Sequence, residues 1–316
     1  MTRDRAGTQA APAPDLPRGM PAQPPVRSGA AGVVEEPSLA TQAAAENFPV
    51  ALRLLPRRYR GHLMAVYNFA RTVDDIGDEA PRDQRLHLLD DIDADISRLY
   101  AAQNDSLQSG EEPRHPAVRG LADVVTDCAI PERPFRDLVS ANRQDQLVTR
   151  YETFGQLLGY CELSANPVGR IVLYVFGSST PHRAELSDSI CSGLQIVEHL
   201  QDIAEDMRAG RIYLPAADMR GYGCSEEDLA GQAAPPQLRR LIAFEADQAA
   251  ALITSGAPLV SELRGAARVA VSGYIAGGRA ALAALAAANY DVLASTPKPA
   301  KLRTARELVV TLARGR

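Results

Sequence analysis

Tryptophan is absent from this 316-residue chain, and aromatic residues make up only 5% of it. An apolar cavity inside such a protein must be walled mainly by Ala, Leu, Val and Ile, with few ring faces to hold a cation. Cysteine is scarce as well. Cys128, Cys161, Cys191 and Cys224 are far apart and form no Cys-x-x-Cys pair, which excludes zinc-ribbon and thioredoxin-type chemistry. They read as small buried hydrophobes of a reducing compartment, so a cytoplasmic location is expected. No apolar run reaches the roughly 20 residues that span a bilayer; the most lipid-like stretches, 171–181 and 280–290, are too short. No apolar segment follows the early arginines, which argues against a signal peptide, and Asp4, Asp15, Glu35 and Glu36 argue against a transit peptide. Excess positive charge is also missing: 34 Lys plus Arg face 39 Asp plus Glu, and that balance speaks against a nucleic-acid binder. There is no Gly-x-Gly-x-x-Gly fingerprint of a nicotinamide-binding fold, which counts only slightly against NADPH.

What is present is helical. Residues 1–39 are rich in Ala, Pro and Gly and are expected to be a disordered tail, because they hold too little apolar surface to offset the entropy of ordering. Residues 40–316 carry apolar side chains at three- and four-residue spacing almost throughout, with no convincing alternation of strand type, and predict one all-α domain. One stripe is Leu63, Val66, Tyr67, Ala70 and Val73; the next is Leu86, Leu89, Ile92, Ile96 and Leu99. Further helices are expected near 115–127, 134–148, 153–176, 182–207, 235–254, 265–290 and 300–313, separated by Pro and Gly turn signals.

Two segments carry paired acids. In RTVDDIGDEA, Asp74 and Asp78 lie four residues apart, so their carboxylates leave one helix face about 5.4 Å apart. In LQDIAEDMRAGRIYLP, Asp202 and Asp206 repeat the spacing, with Gln195 and Glu198 further up the same expected face. Two such helices face to face would form an acidic cleft able to hold magnesium ions and a diphosphate. Spacing alone does not decide, because Asp91 and Asp95 share it and are expected on an ordinary solvated helix face.

The segment ENFPVALRLLPRRYRGHLMAVYNFARTVDDIGDE, then YCELSANPVGR, then LQIVEHLQDIAEDMRAGRIYLP, resembles the squalene and phytoene synthases in wording, order and separation. The likeness runs from about Ala43 to Lys301. It implies a helical isoprenoid-synthase-type bundle with a central cavity, and a magnesium-assisted enzyme acting on prenyl diphosphates. Asp74, Asp78, Asp202 and Asp206 fall on the family's two aspartate-rich motifs, which the resemblance makes magnesium and diphosphate ligands. Tyr67 and Arg71 fall where the family has a diphosphate-facing Tyr and Arg; Arg211 and Tyr213 follow the second motif, and Asn47 and Phe48 match the entry region. Core packing is an equal reading of Phe48, and a helix salt bridge to Asp75 is the alternative for Arg71.

Within the family, SANPVGR and ENFPVA are most similar to the hydroxysqualene synthases of bacterial hopanoid pathways, which convert presqualene diphosphate and water without a nicotinamide reductant. Two departures bear on this. Glu162 stands where synthases that build the cyclopropyl intermediate commonly have a Tyr, so the condensation of farnesyl diphosphate is in doubt and a ready-made intermediate, handed on by a presqualene diphosphate synthase, is favoured. Glu198 stands where an Asn is usual, beside the expected metal site, as an added ligand or a weakened diphosphate contact. Pro167 is expected to kink its helix and free the carbonyl of Leu163 at the cavity wall. The alternatives are a full head-to-head synthase making presqualene diphosphate, squalene or phytoene, and a catalytically silent helical scaffold. The long hydrocarbons leave peripheral membrane contact open, through Arg303, Arg306, Arg314 and Arg316 with Leu302, Leu308, Val309 and Leu312, although a last helix that simply packs on the bundle is the favoured reading.

Overall fold

The computed structural model describes residues 55–103 and 111–315. The expected tail, 1–39, and the candidate residues Asn47 and Phe48 lie outside them. The described residues form fifteen helical segments and no strand; one isolated parallel bridge joins Arg150 and Ile212.

The first half is built from α1 (Arg57–Asp78), α2 (Arg85–Gln103), the short α3 (Pro116–Arg119) and α4 (Ala122–Cys128), α5 (Arg133–Asp145), α6 (Phe154–Ser164) and α7 (Asn166–Val175). Helix α1 buries Leu63, Val66, Tyr67 and Val73 of the expected stripe together with Phe69 and Gly77, while Ala70 is half-buried and lines a cavity. The second half holds α8 (Pro181–Gln201), α9 (Ile203–Ala209), α10 (Ala216–Tyr222), α11 (Glu226–Leu229), α12 (Pro236–Gly256), α13 (Leu259–Glu262), α14 (Gly265–Ala287) and α15 (Lys301–Arg314). Thr180 starts α8 by accepting a hydrogen bond from Arg183 N at 3.2 Å, and Pro181 follows in the first turn, where its missing N–H costs nothing.

Three expected helices are each broken in two. The 115–127 helix separates into α3 and α4. The 153–176 helix, in which Pro167 is expected only to kink the chain, breaks fully at Ala165 with Pro167 in the first turn of α7, and Leu163 is not among the cavity-lining residues. The 182–207 helix breaks at Asp202, whose φ of −104° and ψ of 13° leave the helical region. The second acid pair therefore straddles a break, with Asp202 at the joint and Asp206 on α9, and does not continue the face of Gln195 and Glu198 on one straight helix.

Asp95 corrects another expectation. Its side chain is buried, where it accepts from His115 N at 2.5 Å and from Arg98 Nη1 at 2.5 Å. Burial raises its carboxyl, and the backbone N–H groups of Arg114 and His115 with the Arg98 guanidinium outweigh that and hold it below the usual range.

Two hydrophobic clusters organise the interior. One joins α1, α2, α5 and α7 through Phe69, Ile96, Phe135 and Ile171; the other joins α8, α12 and α14 through Ile196, Leu241, Ile253 and Ile275. Helix α14 is long and apolar enough to cross a membrane by length and composition, yet eleven of its residues, Ile275 and Ala280 among them, are buried in the bundle.

Candidate active site

A cavity of about 420 Å³ opens between the two clusters. Helix α1 contributes Val66, Tyr67, Ala70, Arg71 and Asp74; α8 contributes Ile190, Leu194, Gln195, Glu198 and Gln201; α14 closes the wall with Val271, Tyr274, Gly277 and Ala281. One part of the lining is thus charged and polar and the remainder is mainly aliphatic, with Tyr67 and Tyr274 its only rings, in keeping with the shortage of aromatic residues.

Asp74 is exposed to solvent and lines the cavity, yet enough protein is packed around its carboxylate to desolvate it. Asn142 Nδ2, on α5, donates to its Oδ1 at 3.0 Å. Burial in the concavity pushes the Asp74 carboxyl up to about 6; the Asn142 hydrogen bond opposes the rise and the Asp78 charge adds to it. Arg71 lines the cavity one turn away, with its Nε 2.8 Å from Asp75 Oδ1, so the helix salt bridge and the cavity position are both realised.

The second acidic segment reaches the first through Arg211. Gly210 ends α9 with φ 87°, a left-handed turn that glycine adopts freely. The chain reverses there, and Arg211 Nη1 donates to Asp78 Oδ1 at 2.7 Å. Asp202 is raised by burial and by the charges of Asp206 and Glu205, against the pull of His199. His199 Nδ1 lies 3.7 Å from Asp206 Oδ2, its Nε2 lies 3.2 Å from Gln195 Nε2, and its ring stacks on Tyr213 with centroids 3.7 Å apart.

Beneath these groups is an arrangement that sequence reasoning missed. Asp145, at the end of α5, accepts from Tyr160 Oη at 2.6 Å and from Tyr213 Oη at 3.1 Å. Tyr151 stacks on Tyr213 at 5.8 Å, so three tyrosines and His199 form one ring cluster beside Arg211. Burial raises the Asp145 carboxyl, and its two tyrosine donors and the Arg211 charge oppose the rise. A sequence signal existed: Phe135, Leu138, Asn142 and Asp145 follow one helical stripe whose last two members are polar.

Of the sequence-predicted residues, Tyr67, Arg71, Asp74, Gln195 and Glu198 meet on the cavity wall, and Arg211 and Asp78 meet each other. Asp202, Asp206 and Tyr213 gather around His199 at the adjoining joint. Glu162 stands apart. It is exposed on α6 and is not among the cavity's lining residues, although Ser164 two positions later is.

Among the described residues no three His, Cys, Asp or Glu side chains converge as a protein-only metal cage. Magnesium does not require one, since it keeps several waters and binds through one or two carboxylates together with substrate phosphates. The donor set here is oxygen-rich, and Asp74 and Asp202 are carboxylates raised by burial and by like-charged neighbours. A divalent cation relieves both effects, so these residues fit magnesium.

Comparison with known proteins agrees with this geometry. Residues 41–306 match the family model described as squalene/phytoene synthase. The chain is 37% identical over 220 residues to a hydroxysqualene synthase of Rhodopseudomonas palustris, spanning 69% of this chain and 72% of the relative. It is 30% identical over 227 residues to a phytoene synthase of Mycobacterium tuberculosis, spanning 71% of this chain and 72% of the relative. The solved squalene synthase HpnC of Alicyclobacillus acidocaldarius superposes with a TM-score of 0.71 at 39% identity, covering 79% of this chain and 92% of that one. An all-α bundle with this cavity, matched over most of its length, belongs to the squalene/phytoene synthase family and is an enzyme that uses prenyl diphosphates.

Proposed function

We propose that the protein is a hydroxysqualene synthase, converting presqualene diphosphate and water into hydroxysqualene and diphosphate. The observation that carries this reading is the two-part lining of the cavity, whose charged wall suits a diphosphate and whose aliphatic wall suits a prenyl chain. The likeness to a protein named hydroxysqualene synthase, at higher identity than to the phytoene synthase, supports the finer choice of product.

In this reading Asp74, Asp78, Asp202, Asp206 and Glu198 would hold magnesium, which would supply positive charge against the diphosphate leaving group. Arg71, fixed at the wall by Asp75, and Arg211, fixed by Asp78, add cationic charge from the protein itself and favour cleavage of the carbon–oxygen bond. The bonding electron pair leaves with the diphosphate. Val66, Leu194, Val271 and Ala281 surround the resulting cyclopropylcarbinyl cation with groups that cannot trap it while it rearranges. Water then forms the new carbon–oxygen bond and loses a proton, so no reductant enters. Tyr160 and Tyr213 hold Asp145 in place, and Asp145 in turn fixes the ring on which His199 and the second acidic segment rest. The substrate arrives from a separate enzyme that forms presqualene diphosphate.

Asp74→Asn and Asp202→Asn test the assignment of the two acidic segments. Each is expected to lower turnover of presqualene diphosphate at least about 100-fold with an unchanged circular dichroism spectrum. Turnover within twofold of the parent in either variant would remove that residue from the site.

A further inference from the structure

Five large apolar side chains are exposed among the described residues, and two of them, Leu302 and Val309, belong to α15. They are 85% and 66% exposed. Seven residues apart, they project within about 20° of each other around the helix. The opposite side of α15 is the one that packs. Thr311 is fully buried and accepts from Arg279 Nη1 at 3.2 Å, and Arg268 Nη2 donates to Leu312 O at 2.8 Å, both arginines belonging to α14. Leu308 and Leu312 are half-buried. The helix therefore has its packed face satisfied and still presents Leu302 and Val309 at the centre of its outward face, which intramolecular packing does not explain.

The charge around them is predominantly positive. Between Lys298 and Arg314 the chain carries five cations against the single anion Glu307, although its net charge is −5. Lys298 and Lys301 are the only two lysines in all 316 residues. Lys298, Lys301, Arg303 and Arg306 are all exposed and flank the apolar pair. A second copy meeting this face by two-fold symmetry would set these cations against one another. An anionic lipid surface complements them, and its acyl boundary accepts the leucine and valine.

The position of α15 gives such docking a use. Helix α14, on which it lies, lines the cavity with Gly277 and Ala281, and Pro297, just before α15, accepts from the cavity residue Gln201 at 2.6 Å. We infer that α15 is a peripheral membrane-docking helix, seating Leu302 and Val309 in an anionic bilayer surface and holding the prenyl cavity beside the phase into which its hydrocarbons partition. Docking depends on α15 alone and holds whichever prenyl product is made.

The test is sedimentation of the full chain, without substrate, with vesicles of phosphatidylglycerol and phosphatidylcholine or of phosphatidylcholine alone. The expected result is binding to the anionic vesicles only, released by raising salt from about 0.1 to about 0.5 M. A Leu302→Asp/Val309→Asp variant and an Arg303→Glu/Arg306→Glu variant are each expected to bind about tenfold more weakly, with unchanged thermal stability and unchanged turnover of detergent-dispersed substrate. Four results overturn the inference: no binding to anionic vesicles, binding by both variants as tight as the parent's, a dimer lost in the variants with no vesicle binding by the parent, or binding that appears only after residues 1–39 are removed.

Discussion

Glu245 carries a carboxyl in the helical core, 1% exposed, with Gln248 Nε2 donating to its Oε2 at 2.8 Å. Burial and the nearby charge of Asp218 push it up to about 8, against the downward pull of Gln248. A carboxyl raised on folding contributes stability that is full below its unfolded value, here 4.5, and is lost as pH rises through about 8. The melting temperature should therefore fall between pH 6 and pH 9, and Glu245→Gln should flatten that fall, gaining about 1–3 kcal/mol over the parent at pH 9. Parallel melting curves for the two proteins across this range would show that Glu245 is not the group responsible. Glu162 shows the limit of reading a site by alignment to a motif. Its place beside Cys161 suggested a switch, but helical geometry turns it outward while Cys161 is buried. Glu162→Tyr is expected to leave product and rate within twofold of the parent; a shift toward condensing farnesyl diphosphate would restore its role. Asp95 was misread for a related reason, since its ligand His115 lies 20 residues away and no periodicity reports a partner at that distance.

At the scale of helices, close approach is achieved with glycine. A Cβ at Gly77 on α1 would collide with the Asn142 amide, the group that holds Asp74. Gly77→Ala should destabilise the fold by about 1–3 kcal/mol and also lower turnover, because the Asn142 donor must move; a stable variant with normal turnover would show that this hydrogen bond is dispensable. A Cβ at Gly256 on α12 meets the Leu186 carbonyl of α8, which is backbone and cannot swing away, so Gly256→Ala is expected to destabilise by a similar amount through separation of α8 from α12. Chemical denaturation measures both. Helix positions were legible because three- and four-residue spacing persists through most of the chain. A distortion near Ala165 was legible through Pro167, though as a kink and not as the full break between α6 and α7. The break at Asp202 was not, because no proline or glycine marks it. The Tyr151, Tyr160, Tyr213 and Asp145 cluster joins residues up to 68 positions apart, and no local pattern encodes such a meeting.

At the scale of the molecule, the proposed function has an acidic chain bind an anion by concentrating carboxylates where a divalent cation would reverse the local sign. Both acid pairs were visible from spacing and resemblance, whereas their connection through Arg211 and Asp78 required the fold. Magnesium and inorganic diphosphate together should raise the melting temperature by about 5 °C when each is present at roughly 100 times its dissociation constant, with much smaller shifts from either alone. No shift with both would argue against a joint site. The most direct measurement is product identification by gas chromatography and mass spectrometry after incubation with magnesium and either presqualene diphosphate or farnesyl diphosphate, each with and without NADPH. Hydroxysqualene from presqualene diphosphate, independent of NADPH, with no product from farnesyl diphosphate, is the expected result. Presqualene diphosphate formed from farnesyl diphosphate, or squalene formed with NADPH, would contradict hydroxysqualene synthesis.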